Sequence, residues 1–343
     1  MNARSVSEQS EHAPSGQAPQ RPARLSRLLP RLIVAAGLTT YILWRSHPRA
    51  VLAAAAGADW RPMAVAVLLV LADRTLMAYR WIVLLCTVDR AQRPPLGALM
   101  RIFFVSTFVG TFLPASVGGD AVRAFSLARQ NVSSGDAVAS VLMDRILGVA
   151  SLLLMALVGL PLVRGTAAST PIVSALAAAG GLCLLTLLLI FSRRTGRLAA
   201  SILERLPFTA VRALGHRVLA SIRKYSAYPR QLVNVLVCSI AVQALRIVQA
   251  YYLARGLGID APLTIYFAFV PLILMVMLLP VTFNGIGTSQ AAFVWFFARA
   301  GVDAAPAFAL SVLFVALGIV GNLPGGLLYA FGQSRRDDDR VRS

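Results

Sequence analysis

Arg123 stands one helical turn beyond a glycine pair and a carboxylate in LPASVGGDAVRAF (Leu113–Phe125), directly after the apolar run Ile102–Val109. Gly118 and Gly119 leave the backbone approachable where a helix restarts, and free N–H groups at a helix start favour anions such as phosphate. A guanidinium beside that end can clamp a phosphate through two parallel hydrogen bonds. Asp120 in the first turn suits the same dipole and can equally be a simple cap. The chemistry on offer is recognition of an anionic, phosphate-bearing group.

Further ionisable residues lie within apolar stretches. Asp73 and Arg74 fall near the middle of one, with Arg80 closer to its end. Asp144 and Arg145 open another, and Arg246 sits in IAVQALRIVQAYY between Gln243 and Gln249. Those last three recur every third residue and share one helical face. A charge at the centre of a membrane helix costs about 2.5–3.5 kcal/mol on insertion scales, so such residues turn toward a bundle interior or a cavity. Arg246 is expected either to bind a ligand or to pair with Asp73 or Asp144. Asp73 and Arg74 are candidates for ion coupling or for a structural pair, whereas Arg80 and Arg145 can snorkel to the interface.

Catalytic and metal chemistry lack a comparable pattern. His12, His47 and His216 are scattered over a tail and loops, and Cys86, Cys183 and Cys238 all lie in apolar segments, where they read as small core residues. There is no Walker loop, nucleophile elbow or dinucleotide fingerprint in a strand–helix setting. The expectation is no enzyme, no cofactor and no metal.

The elements that must position these residues are membrane helices. Hydrophobic residues make up 57% of the 343 and charged residues 14%, with a mean hydropathy of +0.71, whereas soluble domains are about a quarter charged. The fold class is an all-α polytopic membrane protein, with full crossings expected at 31–44, 62–86, 145–163, 171–192, 231–254 and 306–331. Residues 1–30 read as a disordered tail and 333–343 as a second tail, flanking one transmembrane domain over 31–332. Arg21, Arg24, Arg27 and Arg31 before the apolar Leu32–Trp44 resemble a signal peptide, but Arg45, His47 and Arg49 separate that run from the small-residue stretch AAAAGA. A first crossing with a cytoplasmic N-terminus is the preferred reading.

Charge sets the orientation. The net charge of +19 is carried almost wholly by arginines in loops, which positive-inside placement explains without nucleic acid. The connection 193–230 holds nine basic residues against Glu204 alone and is placed in the cytoplasm, as are 87–101 and the C-terminal tail. The connection 45–61, with three arginines, fits its external placement least well. Within TAVRALGHRVLASIRKY, Val211, Leu214, Val218, Leu219 and Ile222 follow helical spacing, the mark of an amphipathic helix on an anionic leaflet. The cell membrane is the expected location.

Two apolar regions, 99–140 and 263–300, are broken in the middle. Parity makes the first enter and leave on the cytoplasmic side and the second on the outer side, each as a re-entrant hairpin or a pair of crossings. The second break, LPVTFNGIGTSQAAF (Leu279–Phe293), shares with the first a Leu-Pro, a polar stretch, paired glycines and an Ala-Phe ending. Interrupted segments in two oppositely oriented halves point to a transporter's binding site. Helix packing alone would also place glycine and proline there.

The ordered set LPASVGGDAVRAFSLAR, SVLMDRILGVASLLLMAL (Ser140–Leu157) and LLPVTFNGIGTSQAAFVWFFARAGV (Leu278–Val302) resembles the lysylphosphatidylglycerol synthase transmembrane-region family, the flippase-like domain also found in bacterial multiple peptide resistance factors. The resemblance covers about residues 30–332. It implies a role in moving or presenting a lipid, in that family typically a phospholipid with an aminoacylated headgroup. Onto this sequence it carries Pro114, Gly118, Gly119, Asp120 and Arg123 of the first break, the pair Asp144-Arg145, and Asn284, Gly285 and Gly287 of the second; these residues except Pro114, together with Arg246 from its own polar stripe, are the candidate headgroup-binding positions. Where the family often has Arg-Glu, this chain has Ser289 and Gln290. The soluble aminoacyl-transferase domain is not in this sequence, so synthesis of a lysyl lipid is not expected. Three functions follow: a translocase for an anionic or phosphate-bearing envelope lipid, passive or driven by an ion gradient through Asp73 or Asp144; a non-transporting partner of a lipid synthase or glycosyltransferase; and an intramembrane transferase. Membrane lipids are the expected partners.

Overall fold

The structure is a computed structural model, and it describes residues 56–88, 94–113, 117–130, 132–159, 180–181, 184–185, 188, 192–205, 209–278 and 287–341. The crossing expected at 31–44 lies outside the described residues, as does most of that expected at 171–192 and the break residues Pro114, Asn284 and Gly285. The described chain is helical: α1 (Trp60–Val88), α2 (Leu96–Thr111), α3 (Val117–Ala128), α4 (Ser134–Gly159), α5 (Arg193–Glu204), α6 (Thr209–Lys224), α7 (Pro229–Gly256), α8 (Leu263–Leu278), α9 (Thr288–Ala298) and α10 (Ala304–Val341), with a 3₁₀ turn at Tyr225–Ala227. This is an all-α polytopic architecture.

Four helices, α1, α4, α7 and α10, are long and apolar enough to cross a bilayer. They match the crossings expected at 62–86, 145–163, 231–254 and 306–331, with one shifted boundary. The helix expected from 145 begins eleven residues earlier, because Ser133 and Asp136 cap its start reciprocally: Asp136 N–H donates to Ser133 Oγ (3.1 Å), whose hydroxyl donates to Asp136 Oδ2 (2.8 Å). The first broken region therefore ends near Gln130, not at residue 140.

The remaining apolar helices are short. α2 and α8 have 16 residues each, about 24 Å at 1.5 Å per residue, and α3 and α9 have 12 and 11. Each falls below the roughly 20 residues needed to span hydrocarbon. α2 and α3 fold back on one another, held by a backbone-close contact in which a Cβ on Gly110 would stand 2.8 Å from Gly119 Cα. α8 and α9 pair likewise through Phe269 against Phe296 and Phe297 (ring centroids 5.4 and 6.0 Å). Among the described residues each pair is a helical hairpin of two short helices.

The opposite entry of the two hairpins follows from the central pair. α1 and α7 are antiparallel: Asp59 N–H bonds the Gly256 carbonyl, Arg246 reaches Asp73, and Arg80 reaches Ser239. The first hairpin follows the C-terminal end of α1 and the second that of α7, so they start from opposite ends of the bundle. Each has its own core. Trp81, Leu85, Leu99, Phe103 and Leu127 pack the first. Tyr266, Phe269, Phe293, Phe297 and Phe314 fill the second against α10.

The amphipathic connection is two helices. The end of α6 docks into the bundle through Ile222 beside Ala139 and Met143, and Lys224 grips Asp136 (2.9 and 3.1 Å). Burial pushes the Tyr225 phenol well above its ordinary range, so it stays protonated and donates to the Leu84 carbonyl (3.2 Å). Val211 and Leu214 on α6, and Leu198 and Ile202 on α5, remain exposed.

Candidate functional site

The ionisable residues inside the bundle form two centres about 10 Å apart along α1, the seven-residue rise from Asp73 to Arg80. The first is open to a cavity of about 190 Å³. Thr111, the last residue of α2, and Leu274 and Met277 at the end of α8 line it, so both hairpins reach the same space. Asp73, Arg74, Arg246, Gln249 and Asn322 supply its polar wall.

Asp73 is 1% exposed and faces a guanidinium with each oxygen. Arg74 Nη1 donates to Oδ2 (2.8 Å), and Arg246 Nε stands 3.3 Å from Oδ1 without hydrogen-bond geometry. Arg74 is further fixed by α10, donating from Nε to Asn322 Oδ1 (2.8 Å) and from Nη2 to the Gly318 carbonyl (3.2 Å). Gly318 and Gly321 make room for it, since a Cβ on Gly321 would stand 3.3 Å from Arg74 Nε and 2.7 Å from Val70. Asn322 in turn donates to Thr111 Oγ1 (2.8 Å), tying the tip of α2 to Arg74. Two guanidiniums against one carboxylate leave one positive charge in this centre.

Its donors are incompletely satisfied. Arg74 Nη1 and Arg246 Nη2 both point to the Met77 thioether (3.4 and 3.2 Å), a weak acceptor. Gln249 Nε2 is buried without a hydrogen-bond partner. Buried polar groups are normally paired, so donors left this way mark a place where an acceptor belongs.

The second centre is closed. Arg80 donates from Nε to Asp144 Oδ1 (2.7 Å) and from Nη1 to Ser239 Oγ (3.0 Å). Arg123 Nη1 faces Asp144 Oδ2 (3.7 Å), while its Nε and Nη2 donate to Ser106 Oγ and Thr107 Oγ1 (both 3.3 Å). Its guanidinium also lies over Phe103 (4.5 Å) and Trp81 (5.3 Å). Arg145 Nε donates to Asp120 Oδ2. These contacts join α1, α2, α3, α4 and α7.

The residues singled out in the sequence therefore separate. Asp73, Arg74 and Arg246 come together at the cavity. Asp120, Arg123 and Asp144 come together in the closed centre with Arg80, and Arg145, whose side chain is 43% exposed, pairs with Asp120 at its edge. Gly118 and Gly119 are close-packing positions: a Cβ on Gly118 would overlap Leu113, and one on Gly119 would stand 2.9 Å from the Ser106 carbonyl. Asn284 and Gly285 lie outside the described residues. Gly287 precedes α9 at φ +90°, where glycine alone is at ease, and its N–H is capped by Gln290 Oε1, which also accepts from Ser289 (2.9 Å). Ser289 and Gln290 thus serve the start of α9. Among the described residues, no helix start of α3 lines the cavity, and no three His, Cys, Asp or Glu side chains gather as metal ligands.

Asn322 and Thr111 were not anticipated. Asn322 was legible as a lone amide within an apolar crossing, beside glycines at 318, 321 and 325. Nothing in the sequence marked Thr111 apart from its neighbours.

A family model described as Lysylphosphatidylglycerol synthase TM region matches residues 28–325. No curated protein matches the chain, and no solved structure does.

Proposed function

The chain belongs to the lysylphosphatidylglycerol synthase transmembrane-region family, and on that premise we propose that it is a lipid translocase whose central cavity receives a phosphate-bearing headgroup. It is an integral membrane protein with a lipid-related role. One observation carries the translocase reading. The tips of two hairpins that start from opposite ends of the bundle meet at a single arginine-lined cavity. A carrier needs such a site, because a headgroup must reach it from either leaflet while polar groups stay away from hydrocarbon.

In this reading Arg74 and Arg246 hold the phosphate, Gln249 donates a further hydrogen bond, and Asp73 keeps both guanidiniums in place. Asn322 couples the loaded cavity to the tip of α2. The closed centre around Asp144, with Asp120, Arg123 and Arg145, holds the first hairpin to the bundle and turns with it. Gly118, Gly119 and Gly287 shape the hairpins that carry the site. The chain acts as a carrier and performs no bond chemistry on its lipid. It is placed in the cell membrane with both termini in the cytoplasm, and the basic α5–α6 connection rests against the anionic inner leaflet.

Reconstitution of the purified chain in vesicles containing tail-labelled phosphatidylglycerol tests this. Dithionite quenching of the label should reveal movement between leaflets that Arg246→Gln reduces at least about tenfold. No movement of any anionic phospholipid by the wild-type chain would contradict the translocase and favour a partner that only holds its lipid.

A further inference from the structure

The cavity carries more than a general preference for phosphate. Most of its acceptors are occupied: Asn322 Oδ1, the Gly318 carbonyl and Asp73 Oδ2 accept from Arg74, and Thr111 Oγ1 accepts from Asn322, while Asp73 Oδ1 accepts no hydrogen bond but lies 3.3 Å from the Arg246 guanidinium. Its donors are the unsatisfied side. Two guanidinium N–H groups end on the Met77 sulfur, and Gln249 Nε2 has no partner. An ammonium group brought here would find its only carboxylate already shared by two cations.

Charge leads to the same conclusion. The centre holds one uncompensated positive charge in a low-dielectric setting, and a ligand with one net negative charge neutralises it. A zwitterionic headgroup leaves the imbalance, and a headgroup with an added cationic amine increases it. The cavity, about 190 Å³, is smaller than a pocket of roughly 300–1,000 Å³ for a drug-sized ligand, so it admits a phosphate and a small uncharged substituent.

Resting on the translocase reading for its lipid, we infer that this site selects a phosphodiester headgroup with one net negative charge and an uncharged polar substituent, and discriminates against aminoacylated, cationic headgroups. The family's characteristic aminoacyl lipid is then a poor ligand for this member.

Lipid retention measured by native mass spectrometry tests the selection without requiring transport. The purified full chain is released from detergent in the presence of equimolar phosphatidylglycerol, phosphatidylethanolamine and lysylphosphatidylglycerol. Phosphatidylglycerol should be retained over the lysyl lipid by at least about tenfold. Arg246→Gln, which makes the centre neutral, should erase that preference. Gln249→Leu removes an unpartnered donor without leaving a buried charge, and should lower phosphatidylglycerol retention severalfold in a chain that remains monodisperse. Equal or greater retention of the lysyl lipid would overturn the selection, as would an unchanged preference in both variants. Binding of inorganic phosphate with no lipid retained would overturn the assignment to a headgroup. Selective retention without movement in vesicles would uphold the selection and remove only the translocase reading.

Discussion

Two arginines that donate to a thioether, and a third held by two hydroxyls, a carboxylate and two aromatic rings, separate an open centre from a packed one at the level of single residues. Arg123 carried the strongest sequence signal for an anion, yet its neighbours Phe103, Trp81, Ser106 and Asp144 come from three other helices, and no local pattern could announce them. Arg246 was legible through its polar stripe with Gln243 and Gln249, and of the two carboxylates expected as its partner, Asp73 and Asp144, the structure pairs it with Asp73. The difference has a measurable consequence. Asp144→Ala leaves Arg80 and Arg123 buried without their carboxylate, and breaking a buried pair in this way costs about 3–5 kcal/mol. The variant should lose most of its thermal stability in detergent, whereas Arg246→Gln, whose side chain is 22% exposed at the cavity, should unfold near the wild-type temperature. Equal destabilisation by the two would contradict the division into an open and a closed centre.

At the scale of elements, the broken hairpins depend on backbone contacts that only glycine permits. A Cβ on Gly119 would press on the Ser106 carbonyl at 2.9 Å, and one on Gly325 would overlap the Phe104 carbonyl where α10 crosses α2. Gly119→Val and Gly325→Ala should each lower stability by about 1–3 kcal/mol, the usual cost of overpacking, as read from thermal unfolding in detergent. Gly97, which has open space around its Cβ position, should tolerate alanine in the same measurement. The crossings themselves were legible, because an apolar run of bilayer length has few other uses. The breaks were legible too, through Leu-Pro and paired glycines. The start of α4 was not, since residues 134–144 continue the apolar character of the preceding region and only the Ser133–Asp136 cap divides them. What the paired glycines do was likewise hidden, because packing and ligand approach both call for a missing side chain.

For the molecule as a whole, the antiparallel α1–α7 pair is the feature from which the rest follows. It sends the two hairpins in from opposite ends, brings the tips of α2 and α8 to one cavity, and aligns Asp73 with Arg246 and Arg80 with Ser239. The opposed orientation was readable from loop charge by parity. Convergence on Asp73 and Arg74 was not, since it depends on how α10 brings Asn322 to both Arg74 and Thr111. In the proposed translocase the lipid phosphate lies between Arg74 and Arg246, about 10 Å along α1 from the level of Arg80. Electron cryomicroscopy of the chain in nanodiscs rich in phosphatidylglycerol is the most direct measurement of that claim. The expected result is headgroup density within hydrogen-bonding distance of Arg74, Arg246 and Gln249, displacing the Met77 thioether. Headgroup density at Arg123 and Arg145, with the cavity beside Asp73 empty, would contradict it.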